Sequence, residues 1–185
     1  MRNPIKILND YLLIKRDPVG FARKIGVQVG EKCRLLNTNA RTFGSEPYLI
    51  KIGNHVTVTS GVRFINHDGG MWVFREQEPD IELFGTIEVG NNVFIGMDTL
   101  ILPGVKIGDN CVIGAGSIVT RNIDSNKVAL GSPARPIKTF EEYRESVNDR
   151  AMHIRHFAPN DKRAHLIRHF ESNAVAGPAH CKDRS

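Results

Sequence analysis

Residues 83–123 read LFGTIEVGNNVFIGMDTLILPGVKIGDNCVIGAGSIVTRNI, and an aliphatic residue returns at every sixth position: Leu83, Val89, Ile95, Ile101, Ile107, Ile113 and Val119. Leu, Ile and Val make up about a quarter of the chain, so such a run has a chance on the order of one in ten thousand per starting frame. Four residues after each lies a second, mostly smaller position: Ile87, Val93, Thr99, Val105, Cys111, Ser117 and Ile123. Glycine follows the aliphatic residue at Gly90, Gly96, Gly108 and Gly114. Six residues advance about 600° around an α-helix, which scatters these positions over three faces and excludes a helix. Glycine with Asn or Asp at regular intervals suits tight corners that need left-handed backbone angles. The period therefore predicts a coil of short strands joined by corners, with the aliphatic residue pointing inward. Neighbouring turns of the coil then pair as parallel strands about 4.8 Å apart.

Working outward, the same register recurs at Ile52, Val58 and Phe64, with inward partners Val56 and Val62, and Val29 and Leu35 open it. The step from Phe64 to Leu83 is three hexads plus one residue, so residues 70–82 break the phase and are expected to leave the coil as a loop. That loop holds Trp72 and the acidic run Glu76, Glu78, Asp80 and Glu82, and loops on a rigid scaffold are where function concentrates. Residues 4–16 have a helical pattern, and Asp17-Pro18 starts a second short helix to about Ile25, capped by Asp17. After the coil, Phe140, Val147, Ala151 and Ile154 form a helical stripe that Pro159 is expected to end. One or two more turns follow over Ala164–Phe170, and the tail from Glu171 reads as loose. The expected organisation is a helical segment over 1–28, the coil over 29–137 with its loop 70–82, and C-terminal helices with a loose tail over 138–185. The fold class is an all-β core with flanking helices.

Composition narrows the function. The 185 residues are 41% hydrophobic and 24% charged, the proportions of a globular chain. No apolar run approaches the ~18 residues of a membrane span, and the N-terminal stretch lacks the uninterrupted core of a secretory signal, so a cytoplasmic location is expected. The formal charge of +5 is uneven: residues 1–28 carry six basic and two acidic groups, whereas residues 29–137 carry ten and eleven. A coil that is not basic argues against nucleic-acid binding. The basic N-terminal segment reads as a solvated helix face, with an anionic membrane surface as the alternative. Cys33, Cys111 and Cys181 are odd in number and far apart, which argues against a disulfide framework or a CxxC metal site. His153 and His156 lack a nearby third ligand, so no metal is expected.

The stretch IGMDTLILPGVKIGDNCVIGAGSIVT (95–120), the segment GSPARPIK (131–138) and the run Asn66-His67-Asp68-Gly69-Gly70 together resemble the hexapeptide-repeat acyltransferases. Within them the chain is most similar to the maltose, galactoside and capsular or O-antigen polysaccharide O-acetyltransferases, over roughly residues 20–145. The resemblance implies a left-handed parallel β-helix assembled as a homotrimer, with acetyl-CoA in a cleft between adjacent subunits. The handedness comes from the resemblance alone, because period does not determine it and general chirality rules favour right-handed crossovers.

Moving an acetyl group from a thioester to a hydroxyl needs a base, and neutral imidazole is matched to that task. His67 stands three residues after Phe64, just before the loop, where matching family members carry their catalytic histidine. Asp68 or Glu46 is the candidate to accept a hydrogen bond from its other ring nitrogen, with Asp68 alternatively a turn residue before two glycines. Asn66, Trp72 and Glu46 are the candidates for the acceptor side: Asn66 to orient the sugar, Trp72 as a stacking platform or as a pin holding the loop to the coil. His55 falls in a corner and reads as a turn residue. The family pattern places contacts to the acyl donor at Ala115, Thr120, Arg121 and Arg135, arginine suiting phosphate. Met97 stands where several relatives have a small polar residue, and a backbone N–H at Gly96 or Met97 is the expected oxyanion donor. Cys111 falls at an inward position, where it should be buried and inert, so direct transfer in a ternary complex is expected rather than an acetyl-cysteine.

The resulting expectation is acetyl-CoA-dependent O-acetylation of a saccharide, in building or decorating a surface polysaccharide. The rival enzymatic reading is N-acetylation of a nucleotide-linked amino sugar. A carbonic-anhydrase-like zinc site needs three histidines and the coil offers two, His55 and His67. A non-catalytic trimeric scaffold is the reading from a different class.

Overall fold

Two inward positions per hexad leave room for only two or three extended residues before each corner, and short strands of that length are what form. The computed structural model describes residues 4–39, 41–148 and 150–175. In chain order the elements are α1 (Pro4–Arg16), α2 (Pro18–Lys24), β1 (Gln28–Val29), β2 (Arg34–Leu35), β3 (Ile50–Ile52), β4 (Thr57–Val58), β5 (Arg63–Phe64), β6 (Ile87–Val89), β7 (Val93–Ile95), β8 (Leu100–Ile101), β9 (Lys106–Ile107), β10 (Cys111–Ile113), β11 (Ile118–Val119), β12 (Lys127–Gly131), β13 (Ala134–Thr139), α3 (Phe140–Asn148) and α4 (Pro159–Val175). They fall into two compact units, Met1–Ser146 and Val147–Ser185.

Three sheets are visited in rotation: β1-β3-β6-β9, then β2-β4-β7-β10-β12-β13, then β5-β8-β11. All these pairs are parallel except β12 with β13. Paired positions such as Val89 and Ile107, or Ile101 and Val119, are 18 residues apart, three hexads per turn. In the first turn the third side is Thr42-Phe43, whose carbonyl at Thr42 accepts from Phe64 N at 2.8 Å while the Phe43 and Phe64 rings stack at 5.6 Å.

The core is the predicted double column. Val89, Ile95, Ile101, Ile107, Ile113 and Val119 are all buried, as are all seven partners from Ile87 to Ile123. The polar members are tolerated because each hydroxyl has an acceptor: Thr99 Oγ1 donates to Gly96 O at 2.7 Å and Ser117 Oγ to Gly114 O at 2.6 Å. Leu83 departs from the expectation, being 49% exposed. It belongs to the returning end of the loop, where its carbonyl accepts from Asp68 N, and the coil resumes only at Ile87. Cys111 is buried, and burial pushes its thiol pKa up, as expected of an inert side chain. Cys33 is half-buried with its thiol on Gly53 O at 3.1 Å, and Cys181 lies outside the described residues.

The corner between the first and second sheets stacks His55, Asn92, Asn110 and Asn126, all with φ between 53° and 62°. Their side chains form a ladder: His55 Nδ1 to Asn92 Oδ1 at 2.9 Å, then Asn92 to Asn110 at 2.8 Å and Asn110 to Asn126 at 2.9 Å. Asn tolerates the left-handed region better than most side chains, and its amide serves as donor and acceptor in one column.

The N-terminal helices follow the predicted bounds, with Asp17 Oδ1 accepting from Gly20 N at 2.8 Å and Pro18 in the first turn. The C-terminal expectation is corrected. α3 stops at Asn148, so Ala151 and Ile154 lie outside it, and Pro159 begins α4 instead of ending a helix. Proline lacks the N–H that a first helical residue does not need, so it ends and starts helices equally well. α4 runs on to Val175, and Glu171 is therefore helical. Among the described residues no helix is long and apolar enough to cross a membrane.

Candidate active site

His67 follows β5 at the corner between the third and first sheets, where the chain leaves the coil. The two ends of the excursion are tied together beside it: His67 bridges Phe84 in antiparallel fashion, Asp68 N donates to Leu83 O at 2.8 Å and Gly85 N to Asn66 O at 2.9 Å. Phe84 sets its ring 6.4 Å from the imidazole. The imidazole is about half exposed, and its Nδ1 meets two groups from the segment before β3, Ser45 Oγ at 2.9 Å and Glu46 Oε2 at 3.3 Å. Ser45 Oγ also donates to Glu46 Oε2 at 2.7 Å. Nδ1 is thus engaged by a hydroxyl and a carboxylate, the pattern that leaves Nε2 free to accept a proton.

Several sequence expectations change here. The carboxylate on the ring is Glu46 and not Asp68: Asp68 Oδ1 accepts from Gly70 N at 2.8 Å and caps the short 3₁₀ turn of Gly69–Phe74. Asn66 is fully buried, so its amide does not reach outward to a sugar. Its Nδ2 donates to Glu46 O at 2.6 Å and Phe43 O at 3.4 Å, holding the segment that carries Ser45 and Glu46. Trp72 is 71% exposed, which removes the pinning role within this chain. Val73 and Phe74 beside it are exposed as well. Ser45 and Phe84 were not legible in the sequence, where 22 and 17 residues separate them from His67.

The predicted donor residues divide between two corners. Met97 and Ala115 occupy successive turns of the corner between the second and third sheets, linked by Gly116 N donating to Met97 O at 2.7 Å. Both are exposed, Met97 by 52%. A Cβ on Gly96 would lie 2.5 Å from Ala115 N and 2.8 Å from its Cα, so a side chain there would force the turns apart. A Cβ on Gly116 would meet nothing within 4 Å, so this corner is open. Gly96 N is already engaged by Ile113 O at 2.8 Å, which leaves Met97 N as the oxyanion candidate. Thr120 and Arg121 are exposed just after β11, in the corner column of His67, and Arg135 is exposed on β13. Met97 and His67 therefore stand at opposite edges of the third sheet, about 16 Å apart if five extended residues span it. Transfer needs reacting atoms within about 3.5 Å, a distance that the Met97 corner and His67 of one copy do not meet. A concavity of about 760 Å³ along the first sheet, lined by Lys51, Glu88 and Lys106, contains none of the predicted site residues. Among the described residues no three His, Cys, Asp or Glu side chains gather in a metal-holding group.

The bacterial transferase hexapeptide family (six repeats) matches residues 86–121, the heart of the coil. Protein CapG of Staphylococcus aureus is 51% identical over 151 residues, 82% of this chain and 88% of that protein. The chain belongs to the hexapeptide-repeat acetyltransferases. Galactoside O-acetyltransferase of Escherichia coli K12, another protein with this likeness, is 37% identical over 137 residues, 74% of this chain and 62% of its own length. Among solved structures, a hexapeptide-repeat acetyltransferase of Vibrio cholerae complexed with acetyl coenzyme A has the same fold, with a TM-score of 0.52, 21% identity and coverage of 71% of this chain and 84% of that one. Hexapeptide-repeat membership accounts for the parallel coil and the Gly96-type close approaches in one stroke, and it makes the chain an acetyltransferase.

Proposed function

We propose that the chain transfers an acetyl group from acetyl-CoA directly to a saccharide hydroxyl in a ternary complex, with His67 as general base, in building or decorating a surface polysaccharide in the cytoplasm. The observation that carries the reading is the engagement of His67 Nδ1 by Ser45 and Glu46, which leaves Nε2 to take the hydroxyl proton. Acetyl-CoA supplies an activated acyl group. Met97 and Ala115 provide the shelf for its pantetheine arm, Met97 N stabilises the developing oxyanion, and Thr120, Arg121 and Arg135 bind its nucleotide phosphates. The separation of the Met97 corner from His67 supports assembly from more than one copy, in which one subunit's donor shelf meets the next subunit's histidine; the left-handed coil and the homotrimer are what the hexapeptide-repeat family implies. Trp72, on the loop that leaves the coil at His67, offers an exposed ring face for the sugar. The O-acetylating, sugar-directed reading draws on the galactoside O-acetyltransferase likeness.

The test is acetyl-CoA binding by calorimetry, followed by release of the CoA thiol as a panel of methyl glycosides is added. His67→Ala is expected to remain folded, to keep acetyl-CoA affinity and to lose about 10²- to 10⁴-fold in rate. A variant that transfers at the wild-type rate would sink the assignment of the base.

A further inference from the structure

We propose that Ser45 is a positioning residue for acetyl transfer, acting through His67; this rests on His67 being the base. A serine hydroxyl has one proton. Ser45 Oγ donates it to Glu46 Oε2 at 2.7 Å, so its 2.9 Å contact with His67 Nδ1 must be one in which the ring donates and the hydroxyl accepts. The neutral ring then carries its proton on Nδ1, and the lone pair on Nε2 faces away from Ser45 and Glu46. Glu46 Oε2 alone does not accomplish this, because at 3.3 Å it is farther from Nδ1 than the hydroxyl is. The chain Nδ1–H to Oγ–H to carboxylate is what selects the tautomer.

The placement of Ser45 is itself built into the fold. Gly44, at φ 65°, turns the backbone immediately before Ser45, and a Cβ on it would lie 2.5 Å from Asn66 Oδ1. Asn66 bonds the carbonyls on both sides of the Gly44-Ser45 pair, at Phe43 and Glu46, and is the residue directly before His67. The ring and the hydroxyl are therefore held by one two-residue unit, Asn66-His67, so a displacement of one carries the other with it. Removing the Ser45 hydroxyl leaves Nδ1 with only the longer contact and lets the ring rotate or change tautomer.

The test reads the tautomer of the protein without substrates, by ¹⁵N NMR of the histidine-labelled chain at an alkaline pH beyond which its histidine signals no longer change. The His67 signals are identified by their loss in His67→Asn. Wild type and Ser45→Thr are expected to show the proton on Nδ1, and Ser45→Ala a gain of the Nε2–H form. In the thiol-release assay with acetyl-CoA and methyl glycosides, Ser45→Ala is expected to lower kcat about 10- to 100-fold, with KM for both substrates within about twofold, and Ser45→Thr to restore it. An unchanged tautomer in Ser45→Ala overturns the proposal whatever the rate, and so does a wild-type kcat with a changed tautomer. Because the tautomer is read without turnover, these outcomes are distinct from a His67→Ala variant that keeps its rate, which would remove the base assignment instead.

Discussion

Truncating Ile95 should damage the protein far more than truncating the larger Phe94 beside it in β7. Ile95 is fully buried and Phe94 is 44% exposed, because the strand alternates between the inside and the outside of the coil. Ile95→Ala removes three carbons, which at about 0.8 kcal/mol per buried CH₂ amounts to about 2.4 kcal/mol. A residual void of about 70 Å³, at about 24 cal/mol per Å³, adds about 1.7 kcal/mol. The void persists because the layers above and below are fixed in register by Val58 and Ile113, which pair with Ile95 from β4 and β10. Phe94→Ala forfeits only about 60 Å² of buried apolar surface, about 1.5 kcal/mol, and leaves no void because water fills the space. Urea unfolding followed by circular dichroism measures both variants, at one protein concentration because self-association would make stability depend on it. A Phe94→Ala cost equal to that of Ile95→Ala, or an Ile95→Ala cost under about 2 kcal/mol, would refute the packing argument.

Two further outcomes follow from local geometry. At the head of the corner ladder, His55→Asn keeps a donor toward Asn92 and suits the left-handed angle better, so it should stabilise the fold by about 0.5 kcal/mol, a rise of about 1–2 °C in Tm by differential scanning fluorimetry. At the start of α3, Thr139 N donates to Glu142 Oε2 at 2.6 Å and Glu142 N to Thr139 Oγ1 at 3.1 Å, a reciprocal cap. The bond from Thr139 N, then that from its hydroxyl, hold the Glu142 carboxyl below its ordinary value of 4.5. A depressed folded value stabilises above the unfolded one, so the contribution is complete above about pH 4.5 and is lost as pH falls through the lower folded value. Protection of the α3 amides, taken as exchange relative to the intrinsic rate at each pH, should fall over that acidic range in the wild type and show no such pH-dependent step in Glu142→Gln.

The period of six was enough to find the coil, because an inward position every sixth residue is a local rule that each turn repeats. That is why Val89 through Val119 and their partners could be named as core from spacing alone. Leu83 escaped the rule: it satisfies the spacing, but the loop takes it out of the coil. The C-terminal helices were blurred for a related reason, since proline marks a helix boundary without saying on which side the helix lies. The loop was legible by its break in phase, whereas His67, just before it, was singled out by the family resemblance at that position.

What surrounds His67 was legible only in part, since Glu46 was one of two carboxylates named for the ring and Ser45 was not foreseen. Ser45 and Glu46 reach it across a whole turn of the coil, and only the parallel stacking of one turn on the next brings the segment before β3 to the corner after β5. Asp68 and Asn66, adjacent to the histidine in sequence, look like its partners but point elsewhere, one into a turn and one into the core. The amino-acid sequence by itself determined the repeat, the buried columns and the corner chemistry, all set by contacts within a few residues or by strict periodicity, and its resemblance to a family named the base candidate. Tertiary structure alone decided which carboxylate and which hydroxyl meet the imidazole, and that the Met97 corner lies across the third sheet from His67. Those depend on where separate turns of the coil stack, a distance that sequence spacing does not encode.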